Sequence, residues 1–203
     1  MLTIDTIFSS LTEKQTRMLK EMSEHYRQEW ARIKDKKMAL RAFYKAIDDS
    51  NTKFNERGEP AVTCKKGCSF CCNIKVESTQ PEIDLIVDYM KEKNIKVSQS
   101  QLEGQVPLTV ENHFMSPYRK CVFLSDEGTC KVYDVRPFVC RNYFSVGPPS
   151  ECDPDEHPKG GVTTTMNYET FAIYTAVINE YISSSFSLLL LNTLKRKYGF
   201  FKK

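Results

Sequence analysis

All eight cysteines of this 203-residue chain lie between residues 64 and 152, and that placement limits the fold more than any other feature. They form two groups. The first is Cys64-Lys-Lys-Gly-Cys68-Ser-Phe-Cys71-Cys72, and the second is the wider series Cys121, Cys130, Cys140 and Cys152. Thiols so closely spaced either pair as disulfides or bind a soft or borderline metal. A disulfide framework suits a small secreted chain, but the N-terminus, Met1-Leu2-Thr3-Ile4-Asp5, has neither the basic nor the apolar region of a secretory leader. A chain of this length also buries an adequate core without covalent staples. The expectation is therefore a cytoplasmic protein whose reduced cysteines hold metal.

The net charge is only +3, so composition gives no reason to expect nucleic acid or a membrane surface as partner. The longest apolar run, Leu188 to Leu191 after Phe186, is far too short to cross a bilayer.

Hydrophobic spacing sets the frame around the cysteines. From Leu11 to about Ile47, apolar residues at Met18, Met22, Tyr26, Trp30 and Ile33, then Leu40, Tyr44 and Ile47, keep helical steps. That fits one long helix or two in series. The run Lys34-Asp35-Lys36-Lys37 reads as a solvated face or a break. Arg57-Gly58-Glu59-Pro60 marks a boundary, dividing an N-terminal helical segment (1–59) from a cysteine-cluster domain with a C-terminal helix (60–203). Thr79-Gln80-Pro81-Glu82 is a capping box that opens a helix through Ile83, Ile86, Val87 and Met90. Residues 94 to 118 read as a polar insertion with a short helix from about Ser98. Residues 167 to 197 read as one further helix with Phe171, Tyr174, Ile178, Ile182 and Phe186 on a single face. The predicted fold class is mainly α, with helices bracketing an irregular cysteine-rich centre. Residues 121 to 152 carry few apolar positions, so their packing is expected to depend on metal ligation.

The spacing has chemical content. Two residues between cysteines let both thiolates face one ion, and Gly67 eases the turn before Cys68. The vicinal Cys71 and Cys72 cannot easily reach one tetrahedral ion together, so one of them serves a second site, bridges two metals or stays free. Eight thiols suit two tetrathiolate sites, or one cluster with spare ligands. Cys64-x3-Cys68-x2-Cys71 also matches the cluster motif of radical-SAM enzymes, but no alternation of strands and helices follows it to build their partial barrel. Ligands need outer partners to fix them, and Arg136 and Arg141 stand next to the cysteines. Pro137 pushes Arg136 toward an extended backbone. Arg136 is expected to be buried beside the centre, with Lys65 and Lys66 exposed. His25, His113 and His157 have no ligand spacing to the first group and are expected at the surface. Asp153, Asp155 and Glu156 read as a solvated turn.

The second group in full is Cys121-Val-Phe123-Leu124-Ser-Asp-Glu-Gly128-Thr-Cys130-Lys-Val-Tyr133-Asp-Val-Arg136-Pro137-Phe-Val-Cys140-Arg141. With the first group it resembles the bacterial YkgJ-like cysteine-cluster family, described as zinc- or iron-chelating and written CxxCxxCC. That family has Gly-Cys-x-x-Cys-Cys, a helix, Cys-x-Phe-Leu, then Cys-x-x-Tyr-x-x-Arg-Pro-x-x-Cys-Arg and a last cysteine. Each element has a counterpart here, in order, over roughly residues 60 to 155. The resemblance implies that all eight cysteines are metal ligands, with Tyr133, Arg136 and Arg141 as their outer partners. It also brings in flagellin lysine methylases, which carry a similar motif and look as though they use an iron–sulfur cluster.

Three readings of function follow. One is a structural or chelating module for zinc or an iron–sulfur cluster. Another is an iron–sulfur enzyme that modifies a protein side chain. The third is a metal-stabilised interaction module whose N-terminal helix binds a protein partner.

Overall fold

Thr12 opens α1 (Glu13–Arg32) through a capping box. Its hydroxyl accepts from the Gln15 backbone N–H, and the Gln15 side chain accepts from the Thr12 N–H at 2.9 Å. The chain then breaks, and Asp35 caps α2 (Lys36–Glu56) by accepting from the N–H groups of Lys37 and Met38. Two helices in series is thus the arrangement found. Lys36 is not on a solvated face: its ammonium turns back to the carbonyls of Trp30 (2.7 Å) and Ile33 (2.9 Å), satisfying the open end of α1.

The computed structural model describes residues 9, 11–58, 61–65, 67–153, 155–156 and 162–198. Glu59, Pro60, Lys66 and His157, all part of the sequence reading, lie outside them. After α2 come a 3-10 turn (Phe70–Asn73), β1 (Glu77–Ser78), α3 (Gln80–Glu92), α4 (Gln99–Gln105) and α5 (Val110–His113). A 3-10 turn (Tyr133–Val135), α6 (Phe138–Arg141), β2 (Phe144–Ser145), a 3-10 turn (Pro149–Cys152) and β3 (Thr164–Thr165) follow. The described chain closes with α7 (Tyr168–Ile178), β4 (Ser184–Ser185) and α8 (Phe186–Tyr198). The fold is mainly α, as the sequence implies. The short strands pair antiparallel, Glu77 with Ser185 and Phe144 with Thr165.

α1 and α2 both lie against α7, α2 also packs on α3, and α3 and α4 pack on α8. Held between two helices, α7 buries most of its circumference, including Phe171, Ile173, Ala176 and Val177. One core runs from Trp30, Leu40 and Ile47 through Ile83, Ile86 and Met90 to Phe138, Ile173 and Leu190. Residues on both sides of position 60 therefore contribute to it. A smaller cluster joins Leu19 of α1 to Phe171 and Ala172. Leu19 takes the core position, and its neighbour Met18, expected on the apolar stripe, is 41% exposed.

Three further expectations change. The helix expected over 167–197 is two helices, because Asn179 ends α7 and Ser184–Ser185 leave to pair with β1. Ile182, in the connection between them, is 91% exposed instead of sharing a face with Phe171. The segment 121–152 is not poor in core: Val122, Phe123, Val132, Val135 and Phe138 are all buried in the main cluster. The insertion also docks. Ser98 caps α4, Leu102 is fully buried, and the Gln105 amide holds the carbonyls of Tyr118 and Lys120, fixing the approach to Cys121.

Candidate metal centre

Four segments bring the cysteines to one corner of the helical frame. In the first, Thr63 lies along β2, its N–H donating to the Ser145 carbonyl at 2.9 Å. The Ser145 N–H in turn donates to the Cys64 Sγ at 3.3 Å. The chain then reverses at Gly67, whose φ of +89° is a backbone conformation that favours glycine, and the Cys68 N–H closes the turn on the Lys65 carbonyl. Cys71 and Cys72 follow on the 3-10 turn.

The second segment is a hairpin. Cys121 donates its N–H to the Cys72 carbonyl at 2.8 Å, which ties the two cysteine groups together through the backbone. Leu124 and Cys130 form an antiparallel bridge, and Phe123, just before Leu124, anchors the hairpin in the core. The tip bends back on the first loop: a side chain added at Gly128 would meet Ser69 and Gly67 within 4 Å. The third segment is α6, which carries Cys140, and the fourth is the 3-10 turn ending at Cys152.

All eight cysteines are free thiols; Cys64 and Cys140 are exposed and the rest are half-buried. The Cys71 sulfur lies within electrostatic reach of Cys64, Cys121, Cys130, Cys140 and Cys152. Its own thiol is pushed far above the usual range, first by the hydrogen bond with Cys72 and then by burial. Burial pushes Cys121 up to about 11. Cys140 keeps exposed surface as a residue, yet the protein packed around its sulfur, then the charges of Cys121, Cys71 and Cys130, push its thiol well up. Burial likewise raises Cys64 and Cys152, opposed at Cys64 by the Ser145 backbone and at Cys152 by the Ser145 hydroxyl. Binding a cation to thiols whose protonated form burial favours would release their protons. The donor set fits a thiophilic metal by its chemistry. Among the described residues, however, no three Cys, His, Asp or Glu side chains are arranged so that they could hold an ion as they stand.

The cations around this corner are ordered. The Arg136 side chain is 16% exposed, stacks on the Tyr133 ring at 3.7 Å and lies 3.7 Å from Asp48. Its charge opposes the rise at Cys71, Cys130 and Cys140. Tyr133 itself is 60% exposed, and its carbonyl accepts from Arg136. The Arg141 side chain is fully buried: it pairs with Asp48, donates to the Arg136 and Asp134 carbonyls, and covers the Tyr44 ring at 4.1 Å. Lys65 and Lys131 are exposed.

Sequence reasoning missed Glu82, Asp48 and Ser145 as organisers of this corner. Glu82 accepts from the Phe138 N–H at 2.8 Å and so fixes the start of α6; its capping-box position was the only signal. Asp48 shares a helix face with Tyr44, and nothing in the sequence marks Ser145. Of the histidines, His25 is exposed as expected, but His113 is buried, with Nε2 on the Arg119 carbonyl at 2.9 Å. It is a packing residue of the docked insertion. Asp155 is exposed but not a bare turn residue, since Arg119 grips both its carboxylate oxygens. Beside the cysteines opens a cleft of about 290 Å³, lined in part by Ser69, Phe70, Arg119, Gly128 and Asp153.

A family model described as "CxxCxxCC: Putative zinc- or iron-chelating domain" matches residues 63–167. No curated protein and no solved structure matches the chain.

Proposed function

Because the chain belongs to the CxxCxxCC family of zinc- or iron-chelating domains, we propose that Cys64, Cys68, Cys71, Cys72, Cys121, Cys130, Cys140 and Cys152 are its metal ligands. The bound species is zinc or an iron–sulfur cluster, held in a reducing, cytoplasmic setting. The observation that carries this reading is the convergence on Cys71: thiols from four separate segments lie within its electrostatic reach, and Arg136 offsets their charge. A thiolate centre is anionic, so a guanidinium held at its edge favours the loaded state. Arg136 and Arg141 act as outer partners, the first through its charge and the second by fixing the Asp134–Arg136 turn.

Two measurements test this. Protein purified without oxygen is analysed for zinc, iron and sulfide per chain, and its visible spectrum is recorded. Zinc in fixed proportion to a colourless chain indicates the tetrathiolate form; iron with sulfide and a brown colour indicates the cluster. A chain that retains no metal, and takes none up after anaerobic reconstitution, refutes the proposal.

The cleft beside the cysteines favours a second reading, an iron–sulfur enzyme acting on a protein side chain. It requires iron and sulfide in the purified protein, so colourless zinc protein rules it out. The interaction-module reading would use the depression of about 440 Å³ on α1, lined in part by Leu11, Arg17 and Lys20.

A further inference from the structure

The cleft beside the cysteines has one wall held more firmly than its place at the surface requires. Three consecutive carbonyls, those of Tyr118, Arg119 and Lys120, are all fixed by side chains. Gln101 and Gln105 donate to the first and third at 2.6–3.1 Å. The buried His113 holds the second at 2.9 Å, and the Arg119 N–H donates to the Ser116 carbonyl at 3.2 Å. The side chain leaving this wall is fixed as well. The Arg119 Nη1 donates to the Phe114 carbonyl at 3.0 Å, and only 27% of the side chain is exposed. A guanidinium presented so rigidly at a cleft is preorganised to receive a carboxylate.

Arg119 already holds one from its own chain. Asp155 places both carboxylate oxygens on Nη2, at 2.8 and 2.6 Å, yet its side chain is 70% exposed. An ion pair that open to water is weak and exchanges readily. Among the described residues the Arg119 Nε–H has no partner.

The cleft around this pair measures about 290 Å³. Phe70 and Leu124 give its lining an apolar patch. Gly128 leaves it room, since a Cβ there would stand 3.7 Å from the Ser69 hydroxyl. The charges on the lining are Arg119 and Lys120 against Asp126, Asp153 and Asp155. Two cations facing three carboxylates disfavour a purely anionic ligand and favour one that also carries an ammonium.

We propose that the cleft binds an α-amino acid with an apolar side chain. Its carboxylate takes the place of Asp155 on Arg119, its ammonium meets the displaced Asp155 and Asp153, and its side chain lies against Phe70 and Leu124. Asp153 keeps the displaced residue close, because its carboxylate accepts from the Asp155 N–H at 2.9 Å. Binding of this kind depends neither on the identity of the metal nor on any reaction in the cleft.

The full chain, purified under reducing conditions, is titrated with leucine, with 4-methylpentanoate (leucine without its amino group) and with isopentylamine (leucine without its carboxylate). Binding is followed by ¹H–¹⁵N amide shifts. Leucine should bind saturably, with shifts gathered at residues 69–73, 119–126 and 153–156. Each truncated analogue should bind about tenfold more weakly or worse, as expected for losing a hydrogen bond between charged groups. Arg119→Lys keeps the charge but not the planar fork, and should weaken leucine by a similar factor while amide shifts elsewhere stay unchanged. Asp155→Asn carries the decisive readout. It removes both the competitor for Arg119 and a partner of the ammonium. 4-Methylpentanoate should therefore tighten, leucine should weaken, and the gap between them should narrow several-fold. Absence of saturable leucine binding, equal affinity for leucine and 4-methylpentanoate in the unsubstituted chain, shifts that map away from the cleft, or a gap unchanged by Asp155→Asn overturns the proposal.

Discussion

Glu82 sits at 2% exposure and has every carboxyl lone pair in use. One oxygen accepts from the Thr79 N–H (2.8 Å) and from the Thr79 and Ser78 hydroxyls; the other accepts from the Phe138 N–H (2.8 Å) and the Tyr44 hydroxyl (3.3 Å). A single side chain therefore caps α3 and positions the helix bearing Cys140. Glu82→Ala strands several buried donors, each costing about 1–3 kcal/mol, and loses a cap worth about 1 kcal/mol. Urea unfolding should show a loss of roughly 3 kcal/mol or more, with Glu82→Gln clearly milder because its carbonyl still accepts on one side. Equal losses for the two variants would contradict this assignment. Thr79 and Glu82 were legible as a capping box from spacing alone. The link to Phe138 was not, because a contact across 56 residues has no local signature. Arg141 poses the same problem: its position beside Cys140 is visible, its partner Asp48 is not. Arg141→Ala would leave two carbonyls unpaired, leave Asp48 with Arg136 alone at 3.7 Å, and empty the space against Tyr44. Asp48 is itself half exposed, so the loss should be about 2–3 kcal/mol, short of the full cost of breaking a buried pair. Asp48→Asn should cost less, and the order of the two midpoints in urea checks it.

At the scale of elements, the sequence signals succeed where a cap is local and fail where a strand intervenes. Ser98 and Thr79 mark helix starts, and each is found at one, whereas Asp35, read as part of a solvated face or a break, caps α2. The stretch after Ile178 misleads because apolar residues at helical steps continue into Ile182 and Phe186, while the departure of Ser184–Ser185 depends on β1, over a hundred residues earlier. The two positions now have opposite expectations. Ile182→Asp should change stability by no more than about 0.5 kcal/mol, as at an ordinary surface site. Phe186, 5% exposed and packed edge-on to Phe123 at 6.0 Å between centroids, should cost about 3–5 kcal/mol when cut to alanine. A large loss at Ile182 would restore the single-helix reading. His113 misleads for a related reason: a polar stretch reads as exposed, but Leu102 draws α4 onto α8 and the loop after it is covered.

For the molecule as a whole, the question is how much of the fold depends on metal. The sequence suggests that residues 121–152 pack only when ligated, since turn formers dominate there. Instead Phe123, Val132, Val135 and Phe138 are buried against the helices, and fully burying a large apolar side chain contributes about 1.5–3 kcal/mol. Those four positions keep the hairpin and α6 attached by hydrophobic contact alone. Residues 61–65, 67–72 and 149–153 have no such anchor: none of them is buried, and their order rests on Ser145, on short turns and on whatever the thiols bind. Stability should therefore divide along this line, as it does where one part of a fold opens below the global free energy. Stripping metal with a chelator under reducing conditions is expected to leave the helical far-ultraviolet circular dichroism nearly unchanged. Amide hydrogen exchange and proteolysis should rise sharply over 61–72 and 143–153, while α2, α3 and α7 stay protected. Cys68→Ser should reproduce the local effect, and Cys140→Ser should add a modest loss in the midpoint of thermal unfolding, because its helix belongs to the core. Collapse of the helical signal on chelation would instead mean that the metal holds the entire chain, as in small zinc modules whose folding free energy is the binding free energy.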